Sequence, residues 1–284
     1  MDDKVSRGQI TGQASRRKRE EGALMNEAGA VEDGLTLYNW PTSTCSQKVR
    51  LVLAEKSLRW EDRRLDSRRN ENLSEWYLKL NENGVVPTLA HGRKVIIDSS
   101  VINEYLDEVF PNIPLSPTDA YQRARMRAWR QFIDEVPTPA IRIPSYNRYI
   151  RHKWETMPQH EFDALVERRT VRKHFYRKMG RNGSGPEDER EAIEKLRETI
   201  LRMDRALARG PWLIGDQFTL ADVSLVPSLV RMFDIGLSSL WEDRPLVAAW
   251  YERVQARPSF AKTFYPGSRY GAAGSHPAIE MSAC

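Results

Sequence analysis

Cysteine is nearly missing from this chain, with 2 in 284 residues, Cys45 and Cys284. Two such distant thiols make neither a disulfide framework nor a zinc spacing, so the fold must rest on an ordinary core, and a reducing compartment fits. Histidine is scarce too, 5 in all, and none stands at ligand spacing from another, so no metal is expected. No run of about 18 apolar residues occurs, which argues against a membrane helix, and no short apolar stretch of the signal-peptide kind stands near the start. Zinc-finger, RNP and Gly-rich phosphate signatures are absent as well. These gaps lead to the expectation of a soluble, cytoplasmic protein.

What is present is a globular composition, 40% hydrophobic and 29% charged, with a net charge of +5. The positive excess is local: between Ala120 and Arg181 stand 15 Lys and Arg against 6 Asp and Glu. Much of that segment also carries apolar stripes, so a solvated helix face is favoured over a nucleic-acid surface.

The chain divides into segments of different pattern. Residues 1–34 show no apolar period and are expected to be a disordered extension. Residues 35–110 alternate strand and helix in the order βαβαββα, with strands opening at Leu35, Trp60, Val86 and Val95. Pro111, Pro114 and Pro117 mark a short linker over 111–117. Residues 118–264 read as helix throughout: Thr118 to Val136, stopped by Pro137 and Pro139; Pro158 to about Lys178; Glu187 to Ala208; and a last helix from Pro245 to Arg257. Between these, Thr219 and Asp222 form a capping box, with Phe218 placed to staple against Val223. Residues 265–284 read as a loose tail.

The chemistry gathers in Tyr38–Lys56. An apolar strand ends at Pro41, small hydroxyl and thiol residues follow from Thr42 to Ser46, and a helix with Val49, Val52 and Leu53 on one face begins at once. A helix start offers free N–H groups and a positive dipole end, a setting that favours a thiolate. Composition leaves open whether that thiolate belongs to Cys45 or to a bound cosubstrate.

Together with the run Asn-Gly-Val-Val-Pro-Thr-Leu at 83–89, Asp98-Ser99 and the Phe-Thr-Leu-Ala-Asp capping box, this stretch resembles the cytosolic glutathione S-transferase superfamily over roughly Leu35 to Phe264. Within it, the helix Cys-Ser-Gln-Lys-Val-Arg-Leu looks like the tetrachlorohydroquinone dehalogenases, whereas Phe-Ile-Asp-Glu at 132–135 and the stretch 177–183 look more like bacterial glutathione-dependent β-aryl etherases. The resemblance implies an α/β thioredoxin-like domain followed by an all-α domain, with glutathione as cosubstrate and a small aromatic substrate. It implies cleavage of a β-aryl ether of lignin-derived compounds; the alternatives are reductive dehalogenation or isomerisation of a quinone-like substrate using Cys45, or a non-catalytic subunit. Homodimers or heterodimers with a related chain are implied, without nucleic-acid or membrane partners.

The resemblance also assigns residues. Ser43, or Ser46 under an alternative alignment, would hydrogen-bond the glutathione sulfur. Cys45 would be either a nucleophile or a small packing residue. Val86, ahead of a cis Pro87, would pair its backbone with the cysteinyl part of glutathione. Asp98 and Ser99 would take the γ-glutamyl end, and Asn72 the glycyl end. Trp40, Trp129, Phe132, Tyr146 and Tyr149, with Trp154, are candidates for an aromatic pocket; aromatics at helical spacing are more often core than pocket, so about half of these are expected to face the cleft.

Overall fold

A computed structural model describes residues 34–271 of the chain. The expected N-terminal extension, apart from Gly34, and Cys284 lie outside the described residues.

The first unit is a four-stranded sheet. Its strands are β1 (Leu35–Asn39), β2 (Glu61–Arg64), β3 (Thr88–His91) and β4 (Lys94–Ile97), in the order β2-β1-β3-β4. β1 runs parallel to β2 and antiparallel to β3, with Leu37 opposite Leu89, and β3 pairs antiparallel with β4. Because side chains alternate across a strand, β1 serves two cores. Leu35 and Leu37 pack with Val49, Val52 and Leu53 of α1 (Thr44–Glu55) and with Ile102 and Leu106 of α3 (Ser99–Val109). Tyr38 packs on the other face with Tyr77 of α2 (Glu75–Leu80), Leu65 and Ala90. The pattern opens the third strand at Val86; the ladder begins at Thr88, and the Val86–Pro87 bond ahead of it is cis.

The second unit is helical: α4 (Ala120–Glu135), α5 (Pro137–Ser145), α6 (Gln159–Glu167), α7 (Lys173–Met179), α8 (Pro186–Leu207), α9 (Leu220–Asp234), α10 (Pro245–Gln255) and α11 (Pro258–Thr263). Three of these differ from the pattern reading. Pro137 occupies the start of α5, where its missing N–H costs nothing, so it begins a helix where only a stop was expected. The single helix expected over 158–178 is two, with a break across Arg168–Arg172. Pro258 likewise opens α11 after closing α10. Among the described residues no helix is long and apolar enough to cross a membrane.

α9 is buried on nearly every side, and its capping box is complete. Asp222 is fully buried and accepts from the Leu213 N–H at 3.0 Å, the Thr219 N–H at 3.0 Å and Trp250 Nε1 at 2.9 Å. Burial pushes its carboxyl above the usual carboxylate value, while these donors pull it back. One side chain thereby ties the start of α9 to α10 and to the preceding loop.

Ion pairs join the two units, and another fastens the first unit to the linker. Lys48 of α1 meets Asp134 of α4 at 2.6 Å, and the other oxygen of Asp134 accepts from Ser100 of α3 at 2.5 Å. Lys56 meets Asp107 at 2.6 Å and also donates to the linker carbonyls of Phe110 and Ile113. Arg257 grips Glu55 with two nitrogens, both at 2.7 Å. The residues that follow α11 were expected to be loose. As far as Gly271 they are held, because Asp234 binds Arg269 at 2.6 Å and the Ser268 carbonyl accepts from Gln47 at 2.8 Å.

Asp222→Ala strands four buried donors, the N–H groups of Leu213 and Thr219, the Thr219 hydroxyl and Trp250 Nε1, each costing about 1–3 kcal/mol when left unmade. The expected loss in urea unfolding is roughly 3 kcal/mol or more; a variant with an unshifted midpoint would show that water replaces the carboxylate.

Candidate active site

The turn before α1 is shaped by its carbonyl groups. Arg50, buried within α1, donates to Asn39 Oδ1 at 2.8 Å, to the Trp40 carbonyl at 3.3 Å and to the Pro41 carbonyl at 2.6 Å. Arg231 of α9 reaches across the domain boundary to the Thr42 carbonyl. Burial lowers both guanidiniums from their ordinary value, though nearby Tyr265 and Asp62 partly offset this for Arg50, and Tyr270 and Asp234 for Arg231. With three successive carbonyls drawn toward these cations, the amide edge of the helix start is left free.

Ser43 is the N-cap of α1. Its Oγ accepts the Ser46 N–H at 3.2 Å, and a hydroxyl used as an acceptor still has its proton to give. The N–H groups of Thr44 and Cys45 have no partner among the described residues. A half-exposed hydroxyl and two unused N–H groups at the positive end of α1 make a site for an anionic sulfur.

Ser46 and Ser43 are not equivalent. Ser46 is fully buried and its Oγ has no partner, so it faces the core side of α1 rather than the cleft. Cys45 is half-exposed in the first turn of α1, and Arg142 of α5 lies within electrostatic reach of it.

The neighbouring loops carry the other expected residues. Val86 precedes the cis Pro87, and its backbone N–H and carbonyl are unpaired among the described residues. Asp98 is exposed and caps α3, accepting from the N–H groups of Ser100 at 2.8 Å and Val101 at 3.2 Å. Its φ of 70° is unusual for a residue with a side chain. Ser99, the first residue of α3, is buried. Asn72 must be withdrawn: it is 1% exposed and its amide donates to the Gly84 carbonyl at 2.6 Å, so it braces a loop and presents nothing to a ligand.

The aromatic candidates separate. Trp40 lies in the turn itself, half-buried. Tyr149 stacks on Tyr270 with centroids 4.4 Å apart, and Arg231 lies over the same Tyr270 ring at 4.2 Å, which links the pair to the turn. Tyr146 and Trp154 are core residues. Tyr146 is wholly buried and donates to the Gly180 carbonyl at 2.7 Å, and Trp154 packs against Phe162. Trp129 and Phe132 form an edge-to-face pair covered by the exposed Arg202 of α8, on the seam between α4 and α8.

Pattern reading missed Arg50, Arg231 and Gln47. Their one sequence signal is a charged or polar residue inside an otherwise apolar helix, and that signal names no partner.

Arg50→Lys keeps the charge but cannot span Asn39 and Pro41 together. The expected loss is about 2 kcal/mol of stability in denaturant; an unchanged midpoint would mean that the turn holds itself.

The glutathione S-transferase N-terminal domain family matches residues 42–109, and the C-terminal domain family matches residues 163–253. Protein LigF of Sphingobium sp. (strain NBRC 103272 / SYK-6) is 29% identical over 243 residues, covering 83% of this chain and 95% of that protein. The crystal structure of beta-etherase LigF from Sphingobium sp. strain SYK-6 superposes with a TM-score of 0.75 at 28% identity, covering 81% of this chain and 98% of that one. The tetrachloro-p-hydroquinone reductive dehalogenase of Sphingobium chlorophenolicum is 26% identical over 235 residues, 80% of this chain and 94% of that protein. With a thioredoxin-like sheet carrying a capped helix start and an all-helical domain behind it, the chain belongs to the glutathione S-transferase family, whose cosubstrate is glutathione.

Proposed function

We propose that the chain is a glutathione transferase of the β-etherase type, cleaving a β-aryl ether of a lignin-derived aromatic compound to a glutathione thioether and a phenol. The observation that carries this reading is the helix start: the half-exposed Ser43 hydroxyl beside the free N–H groups of Thr44 and Cys45. Ser43 donates to the glutathione sulfur, and the helix dipole stabilises the thiolate. The unpaired Val86 backbone suits the cysteinyl peptide group, and Asp98 and Ser99 at the start of α3 suit the γ-glutamyl end. The thiolate attacks the carbon bearing the aryloxy group next to a ketone. A C–S bond forms as the C–O bond breaks, and the departing phenolate takes the electron pair. The chain contributes thiolate stabilisation and orientation of the two reactants. Similarity to LigF supports the etherase subtype.

One observation favours a second reading. Cys45 shares the same helix start, half-exposed and near Arg142, as a thiol resolving a mixed disulfide in reductive dehalogenation would need to be. Glutathione consumption with a model β-aryl ether separates the two. Ser43→Ala should lower kcat/KM about 100-fold while Cys45→Ser keeps activity within about 3-fold. Collapse of turnover in Cys45→Ser, with a glutathionyl disulfide trapped on the wild-type Cys45, would transfer the assignment to the second reading.

Exposed apolar residues on α3 and the adjoining elements, Val95, Val101, Val109 and Tyr121, support a dimer. Sedimentation of the purified chain should give twice the monomer mass, and a lone monomer peak at micromolar concentration would remove this reading.

A further inference from the structure

In the helical domain Arg142, Arg169 and Arg172 form no ion pair among the described residues, and the first of them stands near the start of α1. Arg142 of α5 lies within electrostatic reach of Cys45 and of Arg172, which stands in the break between α6 and α7. Its guanidinium is 5.3 Å from the centroid of the Phe175 ring. Neither the Arg142 nor the Arg172 side chain has a hydrogen bond or ion pair among the described residues. Arg169 is 5% exposed, its Nε has no partner, and its guanidinium lies 3.8 Å from the centroid of Tyr176. Lys153 adds a fourth charge. It donates to Asn70 Oδ1 at 2.7 Å, and burial together with Arg169 pulls it down to about 7, with Asp66 as the acid that partly offsets them.

Elsewhere in the chain such cations have partners: Lys48 has Asp134, Lys56 has Asp107 and Arg257 has Glu55, while the buried Arg50 and Arg231 are held by backbone carbonyls. The acid nearest in sequence, Glu167, turns outward to Lys173 at 3.1 Å and Arg177 at 2.5 Å. Burial and the like charge of Arg172 both lower Arg142 from its usual value, with Cys45 and Tyr176 opposing. An uncompensated buried charge costs several kcal/mol, and an arriving anion would recover that cost. The positive stretch at 120–181 is therefore only partly a solvated face, since Arg169 is buried and Arg142 half-buried.

We propose that these cations recognise a carboxylate carried on the ring of the aromatic electrophile, held by Arg142 and Arg172 against the wall formed by Phe175 and Tyr176. A planar guanidinium suits a carboxylate by paired N–H donors. The wall suits an aryl ring: Phe175 and Tyr176 pack edge to face at 5.4 Å. The break that carries Arg172 is tied to the first domain by Arg168 and Thr170, which donate to the Leu73 and Glu82 carbonyls, and Arg142 lies within electrostatic reach of Cys45. A ring held here is directed toward the sulfur site, so this inference deepens the transferase reading and rests on it.

The test uses the full chain saturated with S-methylglutathione and an unreactive pair of probes, 4-phenoxybenzoate and its methyl ester, titrated by calorimetry. The wild type should bind the acid about 10-fold or more tighter than the ester, a difference of about 1.4 kcal/mol. Arg142→Gln and Arg172→Gln should each erase most of that preference and leave the ester unchanged. Arg142→Lys should retain part of it, and Arg177→Gln all of it. Equal binding of acid and ester by the wild type overturns the proposal. So does an Arg142→Gln variant that loses affinity for S-methylglutathione instead, since the cations would then serve the tripeptide. The probes are not turned over, so acid preference without ether cleavage sinks the etherase reading alone.

Discussion

Arg50 and Arg231 hold the backbone carbonyls of residues 40–42, and the rest of the site follows from that constraint. A carbonyl left free in this turn could face the cleft and repel a thiolate. With each one bonded to a buried guanidinium, the turn presents Ser43 and the amides of α1. The two arginines come from different domains, Arg50 from α1 and Arg231 from α9. The turn is thus complete only when the helical domain is docked. Tyr265 and Tyr270, which lie against these arginines, make the segment after α11 part of the same arrangement.

Docking in turn is held by ion pairs with one buried partner: Lys48 reaches Asp134 of α4 and Glu55 reaches Arg257 at the start of α11, while Lys56 pairs with Asp107 inside the first domain and fastens it to the linker. A buried ion pair adds little net stability against an apolar replacement, but losing one partner is expensive. Such pairs therefore favour one relative placement of the domains over a slipped one, a role that apolar packing, with no directionality, fills poorly. Against this background Arg142 and Arg169 stand out, because neither has an ion pair among the described residues and each lies over an aromatic ring, Phe175 or Tyr176.

The aromatic residues show how composition and position part company. Six aromatics at helical spacing were equal candidates for the cleft, and the fold spends Trp129, Phe132, Tyr146 and Trp154 on packing. Phe175 and Tyr176, which line the cationic cluster, lie on a helix that periodicity could not separate from its predecessor. The break at Arg168–Arg172 is what turns them, and it carries neither Gly nor Pro to announce it. Asn72 was misjudged for a similar reason: an amide in a loop reads as available until the Gly84 carbonyl is found to occupy it.

By itself the sequence determined the order of the strands and helices in the first domain, the cap on α9 at Thr219–Asp222, and the hydroxyl-rich helix start at Ser43. All of these are set by neighbours within a few residues, where local hydrogen bonds and apolar period decide. Tertiary structure alone decided which serine is buried, which arginines shape the turn, and which cations lack an ion pair. Those outcomes depend on contacts between residues as far apart as Thr42 and Arg231, and on burial, which turns an ordinary surface charge into a costly one once another domain covers it.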